Sequence, residues 1–172
     1  MFLSTHALAG IIISQHVHSV PVAFGLGVLS HYILDMIPHG DERLADWVRK
    51  KPFRRFALTF LTDMAFLGLF IFTVHVKGEW PTPNVALAAI IGAMLPDLIW
   101  AFYDAYRNFL MRHFPNARKI IQDVTRLESF FSHHERLHRW FHAYIEKRLT
   151  FRVGLAVQMA LAGALLYLSV HP

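Results

Sequence analysis

Acidic and imidazole side chains interrupt the apolar stretches of this chain at spacings that suit metal coordination. In Ser30-His31-Tyr32-Ile33-Leu34-Asp35-Met36-Ile37-Pro38-His39, residues at i, i+4 and i+8 of a helix drift by only about 40° per step, so His31, Asp35 and His39 share one face. Asp63 lies in a second apolar stretch, Asp97 in a third as Gly92-Ala93-Met94-Leu95-Pro96-Asp97, and His6 in the first turns of the chain. A proline beside Asp97 frees a backbone carbonyl and kinks the helix, which hydrocarbon tolerates where the backbone lines a cavity. A lone charge at the centre of a membrane helix costs about 2.5–3.5 kcal/mol on insertion scales, or roughly 8–10 kcal/mol for three Asp. A divalent cation would offset that cost. Carboxylates with neutral imidazoles suit Zn²⁺ first, with Mn²⁺ or Fe²⁺ as further choices. The alternatives are protonated Asp bonded between helices, or a polar stripe facing neighbouring helices or a water pocket.

A second constellation lies in Ser132-His133-His134-Glu135-Arg136-Leu137-His138. His134, Glu135 and His138 match the H-E-x-x-H pattern, in which two ligands flank a general base. The surroundings are basic, His-rich and amphipathic, with no partner motif of an intramembrane protease. The stretch therefore reads as an interfacial helix that lends one or both of His134 and His138 to the metal site or binds lipid phosphate. Asp63 and Glu135 are the candidates for accepting a proton from water. The chain has 12 His and no Cys, so thiolate ligands, disulfides and cysteine nucleophiles are excluded. His16, His18, His75, His113 and His171 read as interfacial anchors.

The elements that must position these groups are membrane helices. The chain has 172 residues, 55% of them hydrophobic and 17% charged, with a mean hydropathy of +0.36. A soluble domain carries about 45–50% apolar and about 25% charged residues, so both departures point to lipid. Apolar stretches at 2–18, 20–38, 56–76, 85–106 and 151–170 predict about five spans in one all-α, polytopic domain covering 1–172. The first is the weakest, because His16 and His18 follow its apolar part, and a re-entrant helix is the alternative. No Lys or Arg precedes it and no small-residue site follows, so it does not read as a cleaved signal.

Basic residues set the orientation. Segment 40–55 holds 6 Lys or Arg, 107–152 holds 10, and Lys77 is the remainder of the 17. The positive-inside rule assigns both segments and the N-terminus to the cytoplasm of an inner membrane, with the C-terminus outside. This topology brings His6, His31, Asp35, His39, Asp63 and Asp97 to one half of the bilayer. Residues 107–150 form a cytoplasmic-face amphipathic helical insertion before the last span, of one or two helices around Pro115. The net charge of +5 and pI of about 9.8 are accounted for by anionic lipid headgroups at the basic loops, with no nucleic acid required.

Taken together, His6 in Thr5-His6-Ala7-Leu8-Ala9-Gly10, the His31-to-His39 string and Gly92-to-Asp97 resemble the small bacterial membrane-bound metal-dependent hydrolases, a group likened to zinc-dependent phospholipase C. The likeness covers roughly the first hundred residues. It implies a helical membrane protein with a hydrolytic role and a metal site on His6, His31, Asp35, His39 and Asp97. Here Pro96-Asp97 is followed by Leu98 rather than a second acidic residue, and the group's His-Arg-Gly-x-Thr-His-Ser string is absent. The leading expectation is hydrolysis of a phosphoester or lipid-linked substrate at the cytoplasmic face. A transporter of metal ions or protons is a competing one, in which a homodimer could supply the inverted repeat. A scaffold with a structural metal is another.

Overall fold

A computed structural model of the protein describes residues 1–39, 52–77, 81–113, 125–143 and 149–172. Six helices and no strands occur among them: α1 (Leu3–His16), α2 (Val20–Asp35), α3 (Pro52–Lys77), α4 (Pro83–His113), α5 (Thr125–Ala143) and α6 (Phe151–Val170). Most of the basic loop 40–55, together with Pro115 and the rest of 114–124, lies outside the described residues.

Prolines begin three helices. Pro21 sits in the first turn of α2, behind Ser19 as N-cap, while Pro52 and Pro83 open α3 and α4. Proline is well tolerated there because the first N–H groups of a helix have no intrahelical acceptor. Pro21 thus starts a helix instead of completing the turn before it. Pro38 acts in the opposite sense, since the residue before a proline avoids the α region. α2 accordingly ends at Asp35.

Among the described residues, three helices are long and apolar enough to cross a membrane, Ala57–Lys77 within α3, Pro83–Tyr103 within α4, and α6, while the other two of the expected five are shorter. α1 has 14 residues and α2 has 16, or about 21 and 24 Å at 1.5 Å per residue, against a hydrocarbon core of about 30 Å. The apolar windows overstated both because the helix stops at His16 in one and before Pro38 in the other. α4, with 31 residues, extends about 46 Å and projects beyond such a core. On the long helices Leu61 and Phe102 are each 65% exposed, a pattern suited to lipid rather than water.

α1 is the centre of the bundle. Ser4 through Ile11 are buried without a break, which requires neighbours on every side. Leu8 and Ile11 pack on Phe70 and Val74 of α3 and Ala162 of α6, while Ile13 and Val17 pack against Ala23, Val85 and Ala89 of α2 and α4. The pairings of α1 with α3 and α6 rise together along the sequence, so those three helices run in one direction, and α2 with α4 run in the other.

α2 and α4 approach closely because glycine faces backbone. A methyl group on Gly27 would run into the Ala89 carbonyl oxygen, and one on Gly92 into the Phe24 carbonyl oxygen. In lipid, where the hydrophobic effect does not drive helices together, such small-residue contacts supply the packing. α5 lies against the pair through ring contacts, stacked for Tyr103 and Phe131 with centroids 4.9 Å apart and tilted for Tyr32 and Phe141 at 4.8 Å.

The N-terminus of α1 is buried, so its first N–H groups need acceptors that water cannot supply. Phe2 N–H donates to Gln158 Oε1 at 2.9 Å, Leu3 N–H to Asp63 Oδ2 at 2.8 Å, and Ser4 N–H to Asp63 Oδ1 at 3.2 Å. Asp63 thus caps a helix with both oxygens, and its negative charge meets the positive end of the helix dipole. Asp63→Ala is expected to lower stability by at least the about 0.5–2 kcal/mol of an ordinary N-cap. Thermal unfolding in detergent should show the loss while metal content stays near wild type.

Candidate metal centre

The close α2–α4 contact carries His31 to the Ala93 carbonyl, where its Nδ1 stands at 2.8 Å. A carbonyl can only accept, so Nδ1 carries the hydrogen and the Nε2 lone pair of the neutral ring points the other way. It points at Asp35. His31 Nε2 lies 3.0 Å from Asp35 Oδ2, an acceptor against an acceptor unless a proton or a cation stands between them. Pro96 has no N–H and leaves the Gly92 carbonyl without its helical donor, and Asp97 follows it toward the same space.

Four residues from three helices converge there: His31 and Asp35 of α2, Asp97 of α4 and His138 of α5, with one ligand atom of each within 4.8 Å of every other. His138 Nε2 is 3.1 Å from Asp97 Oδ1, 3.3 Å from His31 Nε2 and 3.4 Å from Asp35 Oδ2. His31 Nε2 and Asp97 Oδ1 are 3.9 Å apart. Ligands about 2.0–2.1 Å from a tetrahedral ion are themselves separated by about 3.3 Å. The spacing therefore fits an ion at the centre, and the donor set of two imidazoles and two carboxylates can hold one. His31 and Asp35 are fully enclosed, and the Asp97 side chain is 18% exposed.

Of the four, His138 is the one supplied by the amphipathic helix α5. Burial alone would lower its pKa, but hydrogen bonds to Asp35 and Asp97 outweigh burial and raise it to about 9. A cation held by this nitrogen would have to displace that proton.

Around the four stand further groups. His6 is 0% exposed and stacks on His31 with centroids 4.1 Å apart, its Nε2 3.3 Å from Asp35 Oδ1 and 3.7 Å from Asp97 Oδ2. Among the described residues, neither of its ring nitrogens makes a well-formed hydrogen bond. His39 donates Nδ1–H to the Ile37 carbonyl at 2.6 Å, which turns its Nε2 toward the Met1 α-amino group at 2.9 Å. That amino group also donates to Asp35 Oδ1 at 3.2 Å. Gln158, besides holding Phe2, donates to the His39 carbonyl at 2.9 Å.

His134 stands beside the four ligands, its ring centroid 5.9 Å from that of His138. Its Nε2 is buried without a hydrogen bond. Burial, and then the neighbouring charge of His138, lower its pKa, which keeps the ring neutral. His134 also lines a groove of about 380 Å³ among α2, α4 and α5, walled by Tyr32, Pro96, Ile99, Phe130 and Leu137. A larger cavity of about 580 Å³ opens beside Lys77 and His171 at the opposite end of the bundle and shares no residue with the centre.

Among the residues singled out in the sequence, His6, His31, Asp35, His39, Asp97 and His138 meet in one place. Asp63 is engaged with the N-terminus of α1, and Glu135 is not among the four grouped ligands. Sequence reasoning missed Gln158, whose only signal was an amide within the last apolar stretch, and the Ala93 carbonyl, which has no side-chain signal. Compared with protein-family models, curated proteins and solved structures, the chain matches none.

Proposed function

We propose that the protein is a membrane-embedded, metal-dependent hydrolase acting at the cytoplasmic face on a phosphoester or lipid-linked substrate. The observation that carries the reading is the convergence of His31, Asp35, Asp97 and His138 at tetrahedral-edge distances, with the His31 tautomer set by Ala93. Zn²⁺ suits this donor set best, with Mn²⁺ or Fe²⁺ next. When bound, such a cation lowers the pKa of a water and polarises a phosphoryl oxygen. The chain's own groups do the rest. Asp35 and Asp97 neutralise the cation, His134 offers a buried neutral nitrogen as proton acceptor in place of Asp63, and the groove beside it accommodates an apolar chain.

The distribution of Lys and Arg supports an inner-membrane protein with its N-terminus in the cytoplasm. In that frame α3, α4 and α6 span, α1 and α2 form a hairpin lodged among them, and α5 lies at the interface, where basic residues meet anionic headgroups. One observation favours a second reading. Four protein ligands can saturate a tetrahedral ion, and a saturated site is structural. A five- or six-coordinate ion, or ligands shared between ions, leaves room for water.

Two measurements decide. Purified wild type should carry divalent metal, of which His31→Ala and Asp97→Ala carry less, as read by elemental analysis; equal metal in all three ends the assignment. Wild type should also release phosphate or headgroup from mixed membrane lipids, with activity abolished by a chelator and restored by metal. His134→Gln should lower that rate about 10²–10⁴-fold, the usual worth of a positioned acid–base group, at unchanged metal content. Metal flux into proteoliposomes without any lipid product would favour transport instead.

A further inference from the structure

The two carboxylates divide the surrounding nitrogens into two sets. Asp35 Oδ2 and Asp97 Oδ1 face His31, at 3.0 and 3.9 Å, and His138, at 3.4 and 3.1 Å. The remaining oxygens, Asp35 Oδ1 and Asp97 Oδ2, face His6 at 3.3 and 3.7 Å. His39 Nε2 lies 4.0 Å from the same Asp35 Oδ1. Its lone pair is turned that way by the Ile37 carbonyl, the same backbone device that orients His31. Outer-shell acceptors of this kind commonly fix the tautomer of metal-ligating histidines. His6 is wholly enclosed, and among the described residues neither nitrogen makes a well-formed hydrogen bond, a costly arrangement for an imidazole with no other task.

We propose that the centre takes two divalent cations side by side, bridged by Asp35 and Asp97, with each carboxylate giving one oxygen to each ion. One subsite is completed by His31 and His138, the other by His6 and His39. The inference rests on the metal-binding reading above and deepens it. Paired ions about 3.5–4 Å apart clamp the attacking and leaving oxygens of a phosphoryl displacement. Two dications against two carboxylates also leave excess positive charge, which an anionic phosphoester balances and a neutral ester or amide does not. Sharing ligands over two ions opens coordination positions that a single saturated ion would lack. The Met1 amino group stands in the second subsite, bonded to Asp35 and His39, so an entering ion must displace these hydrogen bonds or take the deprotonated amine as a ligand.

The test uses the full chain in detergent, stripped with chelator and reloaded with Mn²⁺ or Zn²⁺. Wild type should bind two ions, His6→Ala and His138→Ala one each, and Asp35→Ala none. Mn²⁺-loaded wild type should give the broadened resonance of an exchange-coupled pair, and this readout stands even where a variant fails to fold. One ion per wild-type chain with an isolated six-line Mn²⁺ spectrum overturns the pair while leaving the metal reading intact. Two ions retained in His6→Ala overturn the second subsite as drawn. No ion in the wild type removes the metal reading itself.

Discussion

Asp35→Asn is expected to strip the centre of metal while keeping the shape of the side chain. Its two oxygens face His31 at 3.0 Å, His138 at 3.4 Å, His6 at 3.3 Å and the Met1 amino group at 3.2 Å. An amide of the same size offers one neutral acceptor and one donor. The charge that holds a cation is gone, and an N–H is turned toward nitrogens whose lone pairs should face the ion. Substitution of mere outer-shell partners costs about 10–100-fold in metal affinity, so loss of this ligand should exceed that range and leave under about a tenth of wild-type metal after purification. Elemental analysis with calorimetric titration reads the result. Wild-type affinity in the variant would take Asp35 out of the ligand set.

The second large effect comes from a residue with no side chain. Gly27→Ala puts a methyl group against the Ala89 carbonyl oxygen and close to the Ala93 nitrogen. Both are backbone atoms of a buried helix and cannot swing aside as a flexible side chain would. Overpacking usually costs about 1–3 kcal/mol, and here the upper end is expected because relief requires α2 to move off α4. That movement also draws His31 away from the Ala93 carbonyl and disorients its Nε2. Gly163→Ala is the control, with nothing within 4 Å of the added carbon. Thermal unfolding and metal content should both fall for the first variant and stay at wild-type levels for the second. Equal melting of the two would refute the packing argument.

The contrast between these two residues shows what a linear reading can hold. His31 and Asp35 were legible as a pair because helical periodicity is local, and Asp97 because a proline precedes an acid within an apolar stretch; His39 was expected on the same helical face but lies four residues beyond the end of α2. His138 was visible through its spacing from His134, but which of the two reaches the centre depends on how α5 rolls against α4, set by Tyr32, Tyr103, Phe131 and Phe141. Asp63 illustrates the opposite case. Its carboxylate met the same test as the others, an acid in an apolar helix, yet its partners are backbone N–H groups about 60 residues away that no motif announces. The lengths of α1 and α2 were overstated for a physical reason as well. Hydropathy windows average past the points, after His16 and before Pro38, where these two helices end.

One consequence follows from where His138 sits. The other three ligands belong to helices that lodge in the bundle, but this one rides on an amphipathic strap held by ring stacking and by the centre itself. Occupancy of the cup and seating of the strap are therefore one equilibrium: a chelator that empties the first should loosen the second, and proteases should find residues 125–143 sooner in stripped protein than in loaded protein.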